Sequence, residues 1–204
     1  MSAPTNKETA LQKRKMRIVE AALECFLENG YHQTGVREIA KKAGISLGNL
    51  YNHFSGKEAV LAEIAALDRQ ETQPFLDILA DDEQPEATLL RFISAYADHA
   101  ALPENVIFSI ELVSESIHNP EIAALFNDNW ASLVGAVSSL LNKGMADGCF
   151  REFSNPDETA EMIMDLLESL GLRLYFADGG KKKDAAIDDL KEFVRCAIRP
   201  PVAR

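Results

Sequence analysis

Apolar residues recur at helical spacing along nearly the whole chain, and no run of alternating Val, Ile and Thr is bounded by hairpin turns. The pattern therefore predicts an all-α fold of about nine helices. A first helix is expected over about 13–28, where Ile18, Ala22, Cys25 and Phe26 share one stripe and Asn29-Gly30 supplies a left-handed stop. A short helix follows over about 35–42 and buries Val36, Ile39, Ala40 and Ala43. Gly44 permits a positive φ, Ile45 reaches back to the core, and Ser46 caps a third helix over about 47–52. Ser55-Gly56-Lys57-Glu58 has the form of a capping box, so a fourth helix is expected there, broken by Pro74 after about 17 residues.

Beyond a solvated loop at Asp81-Asp82-Glu83-Gln84-Pro85, helices are expected near 86–100 and 104–117. Asn119-Pro120-Glu121 and Asn155-Pro156-Asp157 each read as a cap, a first-turn proline and an acid that favours the positive helix end. They begin long helices near 120–147 and 156–177, and a last helix covers about 184–198. The organisation read from this pattern is a flexible tail over 1–12, a small helical domain over 13–60 and a larger one over 61–204.

Charge divides along the same line. The chain of 204 residues carries a net −11, which by itself opposes binding to a polyanion. Residues 1–60, however, hold nine Lys and Arg against six Asp and Glu, net +3, while residues 61–204 hold twelve against 26, net −14. The three cysteines, Cys25, Cys149 and Cys196, are far apart and form no Cys-x-x-Cys pair, so neither a disulfide framework nor a metal or other cofactor is expected. Met1 to Lys15 is polar, and no later stretch approaches 18 unbroken apolar residues. The expectation is a cytoplasmic protein without a membrane partner.

Ala40, Gly44 and Leu50 carry the clearest motif. A small residue lets two helices cross closely, a glycine makes the turn, and a leucine anchors the second helix: this is the framework of a helix-turn-helix. Such a unit presents the start of its second helix to the major groove of duplex DNA. Gly30-Tyr31, Thr34, Val36-Arg37, Ile39-Ala40, Ala43-Gly44-Ile45-Ser46, Gly48, Leu50-Tyr51, His53-Phe54 and Lys57-Glu58 stand in register without a gap, and with them residues 13–61 resemble the TetR family signature. The segments Ser114–Leu125 and Met145–Phe153 resemble ligand domains of the betaine-regulator type.

The resemblance implies a homodimeric transcriptional regulator, usually a repressor, with an amino-terminal DNA-binding domain and a larger helical domain for dimerisation and ligand sensing. Its partners are then a double-stranded, palindromic DNA operator and a small-molecule effector of unknown identity. Carried over position by position, Leu47, Gly48 and Asn49 following Ser46 face base edges. Asn49 is the side-chain amide able to pair with adenine, and Leu47 meets a thymine methyl. Thr34, Arg37, Tyr51, His53 and Lys57 become phosphate or groove-wall contacts, and the basic cluster Lys13-Arg14-Lys15 with Arg17 extends toward a neighbouring groove. Two positions depart from the family pattern. Gly35 stands where a hydroxyl residue is common, and Gly56 replaces a frequent serine.

In the larger domain the 156–177 segment is apolar around more than one face. Ile163, Leu167, Leu170 and Leu174 form one stripe, Met162 and Leu166 lie to its side, and Gly171 admits a close backbone. With Leu190 and Val194 of the last helix they fit half of a four-helix interface between two copies; they fit equally the middle of one chain's own core. Phe92, Tyr96, His99, Phe108, Phe126, Trp130 and Tyr175 are candidates for lining an effector pocket between helices, each with plain core packing as its alternative.

Two other functions are weighed. Gly44-Ile45-Ser46-Leu47-Gly48 matches the Gly-x-Ser-x-Gly nucleophile elbow of hydrolases, with His53, His99 or His118 as base, but that elbow needs a strand before the serine, and Glu38–Ala43 reads as helix. No catalytic residue is therefore assigned. A helical adaptor without DNA binding is disfavoured by the intact Ala40-Gly44-Leu50 framework and the cationic head.

Overall fold

The computed structural model describes residues 6–81, 84–118, 120–177 and 183–200. Within them the chain is all-helical: α1 (Asn6–Asn29), α2 (Val36–Lys42), α3 (Leu47–Tyr51), α4 (Lys57–Leu79), α5 (Pro85–Ala100), α6 (Pro103–His118), α7 (Pro120–Ala146), α8 (Pro156–Phe176) and α9 (Lys183–Ile198). Asp82, Glu83 and the Asn119 cap, all invoked by the sequence, lie outside the described residues, as does the His118 side chain.

Two compact units emerge, and they do not follow the expected boundary near residue 60. One comprises Met1–Arg69 with Ile107–Phe126, the other Gln70–Val106 with Asn127–Arg204. The amino-terminal unit thus recruits a middle segment of the chain, because Phe126 completes its buried cluster and Phe108 and Leu112 pack on it. A second difference lies at the start. Helix α1 begins at Asn6, so residues 6–12 extend the helix rather than form a tail.

In the amino-terminal unit the expected stripe is buried: Ile18, Ala22, Cys25 and Phe26 meet Ile39, Ala40 and Ala43 of the second segment, Leu50 of α3, and Val60, Leu61 and Ile64 of α4. Gly30 and Gly44 take φ of 79° and 66°, a region in which a Cβ is strained, so both turns need glycine. The Ser46 hydroxyl accepts the Asn49 amide at 3.2 Å and caps α3. At α4 the first helical bond runs from the Val60 amide to the Gly56 carbonyl, which puts Gly56 rather than Ser55 at the cap.

Pro74 does not break α4, which runs on to Leu79. The ring is on the exposed side of the helix, while Phe75 and Leu79 on the other side enter the core of the second unit. An interior proline costs about 3 kcal/mol. Burying two large apolar side chains contributes about 1.5–3 kcal/mol each, enough to carry the helix through.

The second unit is built on α5, α8 and α9, which pack on one another, with α7 supplying Leu133, Val137, Leu140 and Leu141. Asn155 caps α8 through its side-chain oxygen, which accepts the Glu158 amide at 3.3 Å, and Pro156 follows in the first turn. Gly171 explains how closely α8 and α5 approach: a Cβ there would stand 2.4 Å from the Ala100 carbonyl oxygen. No helix among the described residues is long and apolar enough to cross a membrane.

Candidate nucleic-acid interface

Helix α3 is a single short turn-and-a-half held by one anchor. Leu50 is fully buried in the amino-terminal core, Leu47 is partly buried against it, and the opposite side faces outward. On that side Ser46 and Gly48 are exposed, Asn49 and His53 are partly exposed, and half of Tyr51 is open to solvent. A Cβ at Gly48 would meet no atom within 4 Å, so the surface here is flat backbone with room for a close partner. Helix α2, joined through the Gly44 turn, adds the exposed Arg37. This is the placement a groove-reading helix requires: an apolar heel fixing the angle and polar tips free to pair.

Two of the expected contacts are turned inward instead. Thr34 is buried, its Oγ1 lying 2.8 Å from the Gly30 carbonyl oxygen and 3.1 Å from that of Cys25. The hydroxyl proton is taken up by these two carbonyls, so none is left for a phosphate. Lys57 donates from Nζ to the Tyr31 carbonyl at 2.7 Å and sits 4.0 Å from the centre of the Tyr31 ring. Its ammonium ties α4 to the turn after α1. Arg17 likewise donates to the Ala43 carbonyl at 2.9 Å, closing the end of α2, and Lys15 pairs with Glu63. Gly35, which lacks the family's hydroxyl, still begins α2 with half of a capping box: the Glu38 carboxylate accepts the Gly35 amide at 2.8 Å.

The turn between α1 and α2 has a polar support that the sequence did not disclose. Glu111 of α6 accepts the Tyr31 amide at 3.2 Å, and Glu115, buried, pairs with Nε2 of His32 at 2.5 Å. Their spacing of four residues put both on one helix face, but a partner at a separation of 80 residues leaves no local signal. Burial, reinforced by Glu58 and Glu115, pushes the Tyr31 phenol up to about 12.

A family model for bacterial regulatory proteins of the tetR family matches residues 18–64, and one for the carboxy-terminal part of BetI-type transcriptional repressors matches residues 85–199. The chain belongs to the TetR family. This TetR-family chain is a helix-turn-helix transcriptional regulator of DNA, as are its relatives. It is 27% identical over 166 residues to the HTH-type transcriptional regulator UidR of Escherichia coli K12, covering 79% of this chain and 81% of the relative. Among solved structures it is similar to the transcriptional regulator FadR from Bacillus subtilis in complex with stearoyl-CoA, with TM-score 0.77 and 24% identity over 90% of this chain and 99% of that one. It is also similar to a regulator from Saccharomonospora viridis in complex with choline, with TM-score 0.79 and 22% identity over 93% and 100%.

The hydrolase alternative lacks its elbow. The residues before Ser46 are helix α2 and a turn, there is no strand among the described residues, and the serine hydroxyl is engaged in capping.

The stripe expected between two copies is inside one chain. Ile163, Leu167, Leu170 and Val194 are buried in the core of the second unit, and the backbone that Gly171 admits belongs to α5 of the same chain. Leu174 and Leu190 pack partly against that core. What α8 and α9 leave uncovered is a different set: Met162, Leu166, Leu172, Tyr175 and Phe176 on α8, and Phe193 on α9. Apolar periodicity marks both faces equally, and only the packing of α5 decides which one the chain keeps for itself.

The seven candidate pocket residues do not line one cavity. Phe92, Tyr96 and His99 join Phe75 in an aromatic cluster of the second unit, with the Tyr96 hydroxyl 2.7 Å from Glu168 and the Asn105 amide donating to the His99 carbonyl at 2.9 Å. Trp130 packs partly on that core. Phe108 and Phe126 belong to the amino-terminal unit, their ring centres 5.6 Å apart, and Tyr175 is exposed beside Phe176.

Proposed function

We propose that this TetR-family regulator is a repressor that grips a palindromic operator as a homodimer and lets go when a small molecule binds its helical body. The observation that carries the DNA half is the outward side of α3, where Asn49 and Tyr51 stand free above a buried Leu50. Asn49 pairs with an adenine edge, and Arg37 and His53 hold the backbone on either side, while Leu47, expected to meet a thymine methyl, is spent largely on packing against the core. Homodimerisation rests on the uncovered apolar set Met162, Leu166, Phe176 and Phe193, which a symmetric copy would bury in a four-helix arrangement.

The effector half rests on Tyr96, His99, Asn105 and Glu168, which bring polar groups to the edge of the Phe75–Phe92 cluster. The relatives solved with stearoyl-CoA and with choline share this fold while holding dissimilar ligands, so the body's architecture suits sensing without dictating the effector. Release requires that the effector favour a dimer whose two α3 helices miss a spacing of about 34 Å along the duplex. A coupling of about 1–3 kcal/mol lowers affinity by roughly 5- to 150-fold.

A mobility shift on the DNA flanking the chain's own gene, against excess random competitor, tests this reading. Asn49→Ala is expected to weaken specific binding by about 1–3 kcal/mol and to leave random DNA nearly unaffected. Equal losses on both DNAs would remove Asn49 from base reading, and no shift at all with the unmodified protein would remove operator binding.

A further inference from the structure

A buried polar atom without a partner is rare, because it forfeits the hydrogen bonds that it had in water. Three side-chain atoms of this kind stand among the described residues: Tyr31 Oη, Glu115 Oε2 and Thr88 Oγ1. Two of the three belong to residues that line one cavity, and that cavity lies wholly within the amino-terminal unit. Phe26, Phe108 and Leu112 contribute to its apolar wall, and Tyr31, Glu111 and Glu115 bring polar groups to it. Its atom-free space is about 320 Å³, part of it at a mouth open to solvent, and its inner part is wide enough for a group the size of water or ammonium.

The charges around this space have one sign. Glu111 and Glu115 lie one turn apart on α6, and Glu111 uses one carboxylate oxygen on the Tyr31 amide. The largely exposed His32 comes within 2.5 Å of Glu115 Oε2 but completes no hydrogen bond to it, and an imidazole is a counter-ion only when protonated. The Lys57 ammonium is spent on the Tyr31 carbonyl; it lies over the Tyr31 ring and makes no bond to the hydroxyl. After burial, the causes that hold the proton on the Tyr31 phenol are the charges of Glu58 and Glu115. Negative potential, an unpaired acceptor on each of two side chains and an apolar wall together suit a ligand with a cationic N–H head and a slim apolar tail. No cluster of three or more metal-ligating side chains forms among the described residues, so a bare metal ion lacks the ligand set it needs.

We propose that this cavity binds a primary alkylammonium, the ammonium donating to Glu115 Oε2 and Tyr31 Oη with the Glu111 carboxylate beside them, and the chain lying along Phe26, Phe108 and Leu112. A primary ammonium carries three N–H donors on a head no larger than a water molecule. A trimethylated head has no donor and is too wide for the inner part. The site is additional to the effector edge at Tyr96 and Glu168, because all of its residues belong to the amino-terminal unit. Its existence does not depend on DNA binding.

The experiment titrates n-hexylammonium chloride into the full chain by calorimetry at constant ionic strength, beside 1-hexanol, hexanoate and hexyltrimethylammonium. Hexylammonium is expected to bind saturably, with a Kd on the order of 0.1–1 mM, and to raise the melting temperature. The other three should bind about tenfold or more weakly, since each lacks either the positive charge or the N–H donors. Glu115→Gln keeps the shape and removes the charge, and should weaken hexylammonium binding by about 30-fold or more. Tyr31→Phe removes one acceptor and should weaken it by about tenfold. A melt of each variant without ligand shows whether it is folded, and Tyr31→Phe carries the comparison alone if Glu115→Gln is not. Absence of saturable binding to the unmodified chain overturns the proposal. Equal binding of 1-hexanol overturns it too, as it leaves an apolar cavity with no site for a cation, and so does undiminished binding to the folded variants, which puts the amine elsewhere. No DNA enters these measurements, so failure of the operator mobility shift and failure of the amine site are read separately.

Discussion

The two units of this chain spend their conspicuous residues in the same way and are left with opposite surfaces. In the amino-terminal unit the polar groups that look most like ligand contacts, Thr34, Arg17 and Lys57, turn inward to satisfy backbone carbonyls. In the second unit the apolar stripe that looks most like an interface, Ile163, Leu167 and Leu170, turns inward as core. What remains outside the first is cationic and polar: Lys13, Arg14, Arg37, Lys41 and Asn49. What remains outside the second includes Met162, Phe176 and Phe193. A fold closes its own accounts first, and the residue types it leaves over indicate the partner: a polyanion for one unit, another protein surface for the other.

The sharpest test of that comparison is to remove one apolar residue of each kind from the second unit. Phe92 is fully buried, so Phe92→Ala is expected to cost about 3–5 kcal/mol in chemical denaturation, independent of protein concentration. Phe193→Ala, at 60% exposure, should leave the unfolding of a single chain almost unchanged and weaken self-association measured by sedimentation equilibrium. If Phe193→Ala destabilises the dilute chain as much as Phe92→Ala does, the division between kept and offered surface fails.

The corresponding pair in the amino-terminal unit is smaller in effect. Thr34→Ala removes a buried hydroxyl and its hydrogen bond and should cost about 0.5–1.5 kcal/mol of stability, with operator affinity lost only in proportion to unfolding. Arg37→Ala should do the reverse: little change in the melt, and a loss of about one unit in the salt slope of DNA binding. A Thr34→Ala protein that melts normally but no longer binds DNA would return Thr34 to the phosphate contacts that the family resemblance implies.

How much was legible in advance follows from range. Gly30, Gly44, Ser46 and Asn155 act on their own neighbours within four residues, and each stands in the structure as its local chemistry requires. The buried stripe of α1 was legible for the same reason, since period alone defines it. Pro74 reads as a break in sequence but is not one, because the residues that carry α4 past it, Phe75 and Leu79, gain their burial from helices farther along the chain. The internal partners of Thr34 and Lys57 were not legible, because a free hydroxyl or ammonium and one already engaged look identical in sequence. The support from Glu111 and Glu115 was invisible, its two ends separated by about 80 residues.

Tyr31 is where the comparison predicts the smallest effect at neutral pH and a distinctive one in alkali. Its amide goes to Glu111, its carbonyl to Lys57 and its ring to Phe26, but its buried hydroxyl makes no hydrogen bond among the described residues. Removing an unpaired buried hydroxyl costs nothing and can stabilise by up to about 1 kcal/mol, so Tyr31→Phe should melt at or slightly above the unmodified protein at pH 7. The phenol is pushed up from 10.0 to about 12 in the folded state, chiefly by burial. The folded chain therefore holds that proton more tightly than the unfolded chain does. The resulting stability is complete below pH 10 and is lost as pH climbs through about 12, whereas Tyr31→Phe has no such proton to lose. Other groups titrate in the same window in both proteins, so the quantity to measure is the difference between the two unfolding curves. It should stay level up to pH 10 and then move in favour of Tyr31→Phe. A difference that stays level through that window, or a neutral-pH loss above about 1 kcal/mol, would mean that the hydroxyl has a partner and that this turn, too, has used up its polar groups internally.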